Sequence, residues 1–446
     1  KKCLNKGIAY HFGRMPEEIK LRIENLYKQG LIKFLFCTST LLEGVNLPAK
    51  NIFILSEKIG DGKMSDIDFW NLAGRAGRLS KDISGNIFCV NLYNQNGYWK
   101  DSKDANILRT KEKYEIEPQI LSRKNENLYK NISNYFKQKN YSNKNLSSEK
   151  KKIIEMYGNI LLFHDLINNE SILKDRFLDS DKKSMSLLKK KRNLLKVAPE
   201  ILATSIDINI ANQNKIASNN VPSLPTSTNR EDCLKVLNIL YEQYEWNKTE
   251  SDGRNPMIRH KKQLKYYATL MESWINTKPL KVIIQRTIDY FYNDGDERTL
   301  YIRQEGTLKP VKFDKENELH VNKLINDIVG DIENVLRFKI KNYISNYQAL
   351  LSDKDNSSNN RADWESYIEY GTTDNKTIEI QNLGFPRNIA IFLKDKCLDA
   401  FEKDNMGIIC DVDEVYLKNN IDKHKYRFEY EELALFMNWK IETEVE

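Results

Sequence analysis

The chain has 446 residues, of which 40% are hydrophobic and 30% charged, a balance that excludes an intrinsically disordered chain and suits several globular domains. No apolar run is long enough to cross a bilayer, and the basic start from Lys1 to Lys6 is followed by no signal-peptide core, so no membrane partner is expected. The net charge of +7 is uneven: residues 1–100 hold 15 Lys+Arg against 9 Asp+Glu, as a phosphate-handling surface would, and the remainder holds 55 against 54.

In chain order, Gly7–Tyr10 reads as a short strand. Pro16 opens a helix in which Ile19, Ile23, Leu26 and Tyr27 share a face, and Gly30 ends it. Leu31–Cys37 is a near-continuous apolar run, the pattern of a strand buried on both faces. Asn51–Leu55 and Asn86–Val90 are two more strands. Between them, Glu57–Met64 reads as a plain loop, and Ser65 or Asp66 caps a helix running towards Arg78. Strands alternating with helices predict an α/β parallel sheet with helices on both faces over residues 1–104.

Beyond it the pattern is mostly α-helical. Residues 105–202 form a helical domain, and 203–230, rich in Ser, Asn, Thr and Pro, a linker or long surface loop. Residues 231–351 are helical again, with a β-hairpin of Asp289–Tyr292 and Thr299–Arg303 around Asp294-Gly295. After a polar break, 361–446 form a small helical unit in which two helices meet at Leu383-Gly384-Phe385, the second starting at Pro386. Six Cys, at 3, 37, 89, 233, 397 and 410, lack zinc or redox spacing and read as buried, reduced thiols of a cytoplasmic protein.

The strongest chemical signal is Asn71-Leu72-Ala73-Gly74-Arg75-Ala76-Gly77-Arg78. Two guanidinium forks three residues apart can each pair a phosphate bidentately, and the glycines permit close backbone approach. Taken alone, a helix end with two surface salt bridges explains the pattern equally well. Upstream, Cys37-Thr38-Ser39-Thr40-Leu41-Leu42-Glu43-Gly44-Val45-Asn46-Leu47-Pro48 follows a strand, putting three hydroxyls where parallel sheets bind ligands. His11-Phe12-Gly13-Arg14 follows the first strand.

In this order the three segments resemble motifs IVa, V and VI of superfamily 2 helicases of the DEAD/DEAH-box-like kind, in the branch of archaeal repair and exosome-associated helicases. The resemblance spans roughly residues 7–90 and implies the second RecA-like lobe of an ATP-dependent helicase or translocase. It implies that Arg75 and Arg78 reach the γ-phosphate of ATP, Arg78 as arginine finger. Gly44, Asn46 and Asn71 would serve the nucleotide cleft; His11, Gly13, Arg14, Thr38, Ser39 and Thr40 would hold the nucleic-acid backbone. Asn71 stands where the family usually has Gln, which puts its contact in doubt, and Cys37 where it usually has Ala. Relatives often carry a strand-splitting hairpin where Glu57–Met64 lies.

No Gly-X-X-X-X-Gly-Lys-Thr/Ser loop occurs, nor an Asp-Glu-X-His/Asp motif; Asp411-Val412-Asp413-Glu414 reads as a solvated loop. ATP and Mg2+ would therefore be bound mainly by a first RecA-like lobe on a missing segment or another chain. His11, His164, His260, His320 and His424 have no metal-ligand spacing. In the family, helical domains after the second lobe close around one strand, and Leu187–Lys196, with Lys189, Lys190, Lys191, Arg192 and Lys196, could line such a passage; a solvated basic face is the alternative. Trp246, Trp274, Trp364 and Trp439 read as core residues rather than base-stacking ones. The Ile378–Ala390 segment resembles C-terminal units of bacterial helicases, including the helicase subunit of Hachiman anti-phage defence, which implies a nuclease partner and favours DNA over RNA. The competing class is a non-catalytic, helicase-derived scaffold that grips nucleic acid or a partner without turnover.

Overall fold

A computed structural model describes residues 2–38, 47, 49–56, 58–59, 62–77, 84–90, 126–137, 148–180, 183–251, 257–258, 260–293, 299–304, 307–354, 362–437 and 439. The chain divides into two compact units, Lys1–Ile116 and Glu117–Glu446.

In the first unit, β1 (Ile8–His11) pairs in parallel with β2 (Phe34–Cys37) across α1 (Glu17–Lys28). A second parallel pair joins β3 (Asn51–Ile54) to β6 (Asn86–Cys89) across α2 (Asp66–Ala73). The crossover helices cover one face of each pair. Ala9, Ile23 and Ile32 close one small core; Ile54, Phe69 and Ala73 close the other. The opposite face corrects the expectation of strands buried on both sides: Tyr10, Phe34, Phe36, Phe53 and Phe88 are exposed there. Among the described residues no helix covers these rings, which pair with each other instead, Tyr10 with Phe36 and Phe53 with Phe88. Glu57–Met64 is also corrected. Two-residue strands β4 (Lys58–Ile59) and β5 (Gly62–Lys63) pair antiparallel, a miniature hairpin rather than a plain loop.

The second unit is helical. It contains α3 (Glu126–Phe136), α4 (Ser148–Leu166), α5 (Ile172–Ser180), α6 (Ser184–Asn193), α7 (Pro199–Thr204), α8 (Ile210–Ser218), α9 (Arg230–Gln243), α10 (Trp246–Thr249), α11 (Leu264–Ile275) and α12 (Leu280–Asn293). A hairpin of β7 (Thr299–Gln304) and β8 (Thr307–Lys312) follows, then α13 (Glu318–Gly330), π-type turns over Asp331–Ile340, α14 (Lys341–Lys354) and α15 (Trp364–Tyr370). One apolar core runs through all of these, from Tyr129 to Ile368, across the expected boundaries near 202, 230 and 351.

Two expectations fail here for one reason, namely that distant apolar contacts outweigh local composition. The stretch 203–230 is not a linker. Ile208 and Ile216 are fully buried, α8 occupies its middle, and the Pro-rich part is strapped down by Tyr347 Oη donating to the Pro222 carbonyl (2.6 Å) and Trp364 Nε1 to that of Pro225 (2.7 Å). The hairpin is real but displaced. Asp289–Tyr292 belongs to α12, whose Ile284, Ile288 and Phe291 pack on the core, and the strands are 299–304 and 307–312.

A second core closes the C-terminal unit of α16 (Asn375–Asn382), α17 (Arg387–Lys396), strands β9 (Phe401–Lys403) and β10 (Ile409–Val412), α18 (Glu414–Asn420) and α19 (Arg427–Phe436). The α16–α17 turn at Gly384 and the start at Pro386 are as expected. Trp246, Trp274 and Trp364 are core residues, whereas Trp439 is half-buried under Lys418. All six Cys are free thiols, but Cys3 and Cys410 are exposed, which corrects the reading of them as buried.

Inside the helical unit, Glu250 accepts Lys152 Nζ at 2.7 and 2.8 Å and Tyr343 Oη at 2.8 Å. Burial pushes the nearby Glu155 carboxyl above its ordinary value, with Asn209 and Lys152 pulling the other way and Glu250 adding to the push. The fold thus disfavours the charged form. That cost is present in full above the folded pKa and vanishes as pH falls to the unfolded value. Glu155→Gln is therefore expected to raise the melting temperature at about pH 8, by an amount that shrinks towards about pH 4. A pH-independent difference would contradict the assignment.

Candidate nucleotide and nucleic-acid site

The site is built where the motif segments leave their strands. In the parallel register His11 lies beside Cys37, so Phe12-Gly13-Arg14 and Thr38 emerge at the same, carboxyl, end of the β1–β2 pair. The Thr38 backbone N–H donates to the His11 carbonyl at 3.2 Å and ties the two exits together. Gly13, Arg14 and Thr38 are exposed. His11 is not: it is 2% exposed, and its Nε2 lies 3.0 Å from Glu24 Oε1 of α1. The imidazole of His11 thus faces α1 rather than the exposed exit where a phosphate contact was expected. Sequence reading missed Glu24, which no local pattern links to a residue 13 positions away. Burial pushes the Cys37 thiol up to about 12, so it stays protonated and inert beside the hydroxyl residues.

The arginine segment is held from the other side. Ser65 caps α2 in a capping box with Asp68, and the helix stops at Ala73 with Gly74 as its cap, short of the expected run to Arg78. It stops because the chain is drawn into an isolated parallel bridge between Ala49 and Ala76. The Ala49 N–H donates to the Arg75 carbonyl at 3.2 Å, and the Gly77 N–H donates to the Ala49 carbonyl at 3.1 Å. The end of the Thr38–Pro48 segment and the arginine turn are thereby joined directly, through a residue the motif reading did not single out. Arg75 is 9% exposed, a guanidinium held by the lobe rather than waving in solvent. Asn71 lies exposed on α2. Ser39, Thr40, Gly44, Asn46 and Arg78 lie outside the described residues.

Gly77 has φ +65°, and a Cβ there would meet the Gly85 backbone N at 2.3 Å. Two glycines thus let the arginine turn cross the chain entering β6. Gly77→Ala is expected to destabilise the first unit by more than about 1 kcal/mol through left-handed strain and collision. Thermal unfolding checks it, and an unchanged melting profile would contradict the close crossing.

The described part of the site offers a guanidinium, that of Arg75, rather than a set of metal ligands. A guanidinium suits phosphate oxygens. Among the described residues no group of three His, Cys, Asp or Glu is placed to hold a metal ion. Asp413 caps α18 by accepting from the Val415 and Tyr416 N–H groups at 2.9 Å, which accounts for the acidic run near the C-terminus. No helix of the described residues is long and apolar enough to cross a membrane.

Comparison with known proteins finds matches to the first part of the chain. Residues 1–80 match the helicase conserved C-terminal domain. Over 88 residues the chain is 38% identical to anti-bacteriophage protein B of Escherichia coli (strain K12), a stretch covering 20% of this chain and 12% of that protein. It is 35% identical over 85 residues to Hachiman protein HamB of Bacillus cereus, covering 19% and 8%. It is 37% identical over 91 residues to the exosome RNA helicase MTR4 of Homo sapiens, covering 20% and 9%. The aligned stretch is thus about an eighth or less of the length of these relatives.

Proposed function

We infer that this chain, whose residues 1–80 match the helicase conserved C-terminal domain, supplies the second motor lobe of an ATP-dependent superfamily 2 nucleic-acid helicase or translocase. The observation that carries this reading is the arginine turn, fastened by the Ala49–Ala76 bridge to the end of the segment that begins at Thr38. A displacement of either would be felt by the other, which is what coupling hydrolysis to strand movement requires.

In this reading a first RecA-like lobe, on another segment or chain, binds ATP and Mg2+. Arg75 and Arg78 stabilise charge on the transferred phosphoryl group, Arg78 as the finger. Gly44, Asn46 and Asn71 line the nucleotide side. Gly13, Arg14, Thr38, Ser39 and Thr40 contact the strand backbone, and His11 sets the turn that carries Gly13 and Arg14. DNA is favoured over RNA, and anti-phage defence in the bacterial cytoplasm is the setting. The names of two relatives support this, whereas the exosome relative marks RNA as the competitor. A nuclease subunit is the partner such a setting calls for.

The test is ATP turnover by the native polypeptide, isolated with whatever first lobe accompanies it, with single-stranded DNA or RNA of equal length added. Stimulation by DNA supports the reading as stated, and stimulation by RNA alone transfers it to RNA. No stimulation by either leaves a binding scaffold.

A further inference from the structure

The inward carboxylate of the first unit has no part in the roles described so far. Strand β1 alternates, with Ala9 and His11 buried on one side and Tyr10 exposed on the other. On α1, Ile23 is buried, and Leu26 and Tyr27 pack against the same small core as Ala9. Glu24 follows Ile23 at the edge of that apolar face. Its side chain is 14% exposed, and its Oε1 lies 3.0 Å from His11 Nε2. It is an acidic residue in the basic part of the chain, largely turned away from solvent.

His11 is the last residue of β1, and it is tied twice. Its carbonyl accepts the Thr38 N–H at 3.2 Å, and its ring meets Glu24. Beyond it, Phe12, Gly13, Arg14 and Met15 lead to Pro16 at the start of α1, and the Met15 N–H donates to the Phe12 carbonyl at 3.2 Å to close a turn. That turn hangs between the strand and the helix, so its direction follows the seating of one on the other. Apolar packing holds the two together but is non-directional. A hydrogen bond from a residue about two helical turns into α1 fixes the roll of the helix about its own axis.

We propose that Glu24 is a positioning residue for strand engagement. Through His11 it sets the direction in which the turn presents Gly13 and Arg14, and it touches neither strand nor nucleotide itself. The role rests on the reading of that turn as a strand contact. Charge alone gives the opposite sign, because deleting a carboxylate from a basic surface tightens its hold on a polyanion. Positioning gives a weaker hold, and makes reach rather than charge decisive. Gln keeps an acceptor at the same reach, whereas Asp keeps the charge and falls one methylene short.

The test measures stimulated ATP turnover by the native polypeptide with its accompanying first lobe, and nucleotide-free binding of fluorescent oligothymidylate and oligouridylate across a salt series. Glu24→Ala and Glu24→Asp are expected to raise the strand concentration for half-maximal stimulation by about tenfold, with turnover at saturating strand within about twofold of wild type. Glu24→Gln should stay within about twofold on both counts. The log–log salt dependence of the Asp variant should flatten by about 0.7, one single-strand phosphate contact, as it should in Arg14→Ala. Glu24→Asp/Arg14→Ala should bind no more weakly than Arg14→Ala, since Glu24 acts through the turn. Melting and circular dichroism guard against misfolding, and the Asp and Gln variants decide if the Ala variant does not fold. An Asp variant with the wild-type strand requirement, a Gln variant as weak as Asp, or additive effects in the double variant would each overturn the positioning role and leave the motor reading intact. Strand binding without stimulated turnover in the wild type would sink the motor reading, and the same comparison read in affinity then decides Glu24. No strand binding by the wild type overturns both.

Discussion

Replacing either arginine of the turn, Arg75→Ala or Arg78→Ala, is expected to lower nucleic-acid-stimulated ATP turnover of the assembled motor by on the order of 10³–10⁵-fold, with little effect on strand affinity in the absence of nucleotide. On the proposed reading the loss is large because the charge these groups would meet develops in the transition state. Lysine should not rescue Arg75. An ammonium keeps the charge but loses the planar fork, and Arg75 is 9% exposed next to the bridge between Ala49 and Ala76. Stimulated turnover by Arg78→Ala within a few-fold of wild type would remove the arginine finger from the proposal. A loss of strand binding as large as the loss of turnover would mean that the turn serves the strand rather than the nucleotide.

Trp274→Ala should have the largest effect on stability, about 3–5 kcal/mol, because one side chain holds the helical core and the C-terminal unit together. Trp274 is 7% exposed and donates from Nε1 to the Ile368 carbonyl at 2.7 Å. The Arg387 guanidinium, from α17, lies 4.3 Å from its ring, and that of Arg337, from the π-type turns, lies 5.7 Å away. Arg387 also donates to the carbonyls of Gly371 (3.0 Å), Trp274 (3.1 Å) and Lys278 (3.2 Å), so a single guanidinium fastens three turns. Gly371 has φ +64°, and a Cβ there would come within 2.5 Å of Arg387 Nε and 2.6 Å of Trp274 Cε2. Calorimetry of Trp274→Ala should show a separate, earlier transition, and mild proteolysis should cut between α15 and α16. A single transition at the wild-type temperature would refute the clasp. Arg387→Ala should act in the same direction and more weakly, since it leaves the ring packed.

The layout of the first unit was legible in the residues for a physical reason. Arg75-Ala76-Gly77-Arg78 and the run from Thr38 to Pro48 are recognised by residue type and spacing alone, and both lie within residues 1–80, which match the helicase conserved C-terminal domain. The strand–helix alternation shows in apolar periodicity for a similar reason. The start of α2 at its Ser65 cap and the start of α17 at Pro386 were equally readable, because caps are local.

What the sequence could not determine depends on partners far along the chain. Ser-, Asn- and Pro-rich residues 203–230 look like a linker until Tyr347 and Trp364, more than 120 positions away, bind the carbonyls of Pro222 and Pro225. His11 looks like a ligand until the β1–α1 crossover brings Glu24 to it. Lys189 and Lys190 look like part of any solvated run until the packing of α6 shows which face is exposed and how Asp165 is shared. Local chemistry is written in spacing. Burial, and the pairing of charges across long stretches of chain, are decided only when the chain has closed on itself.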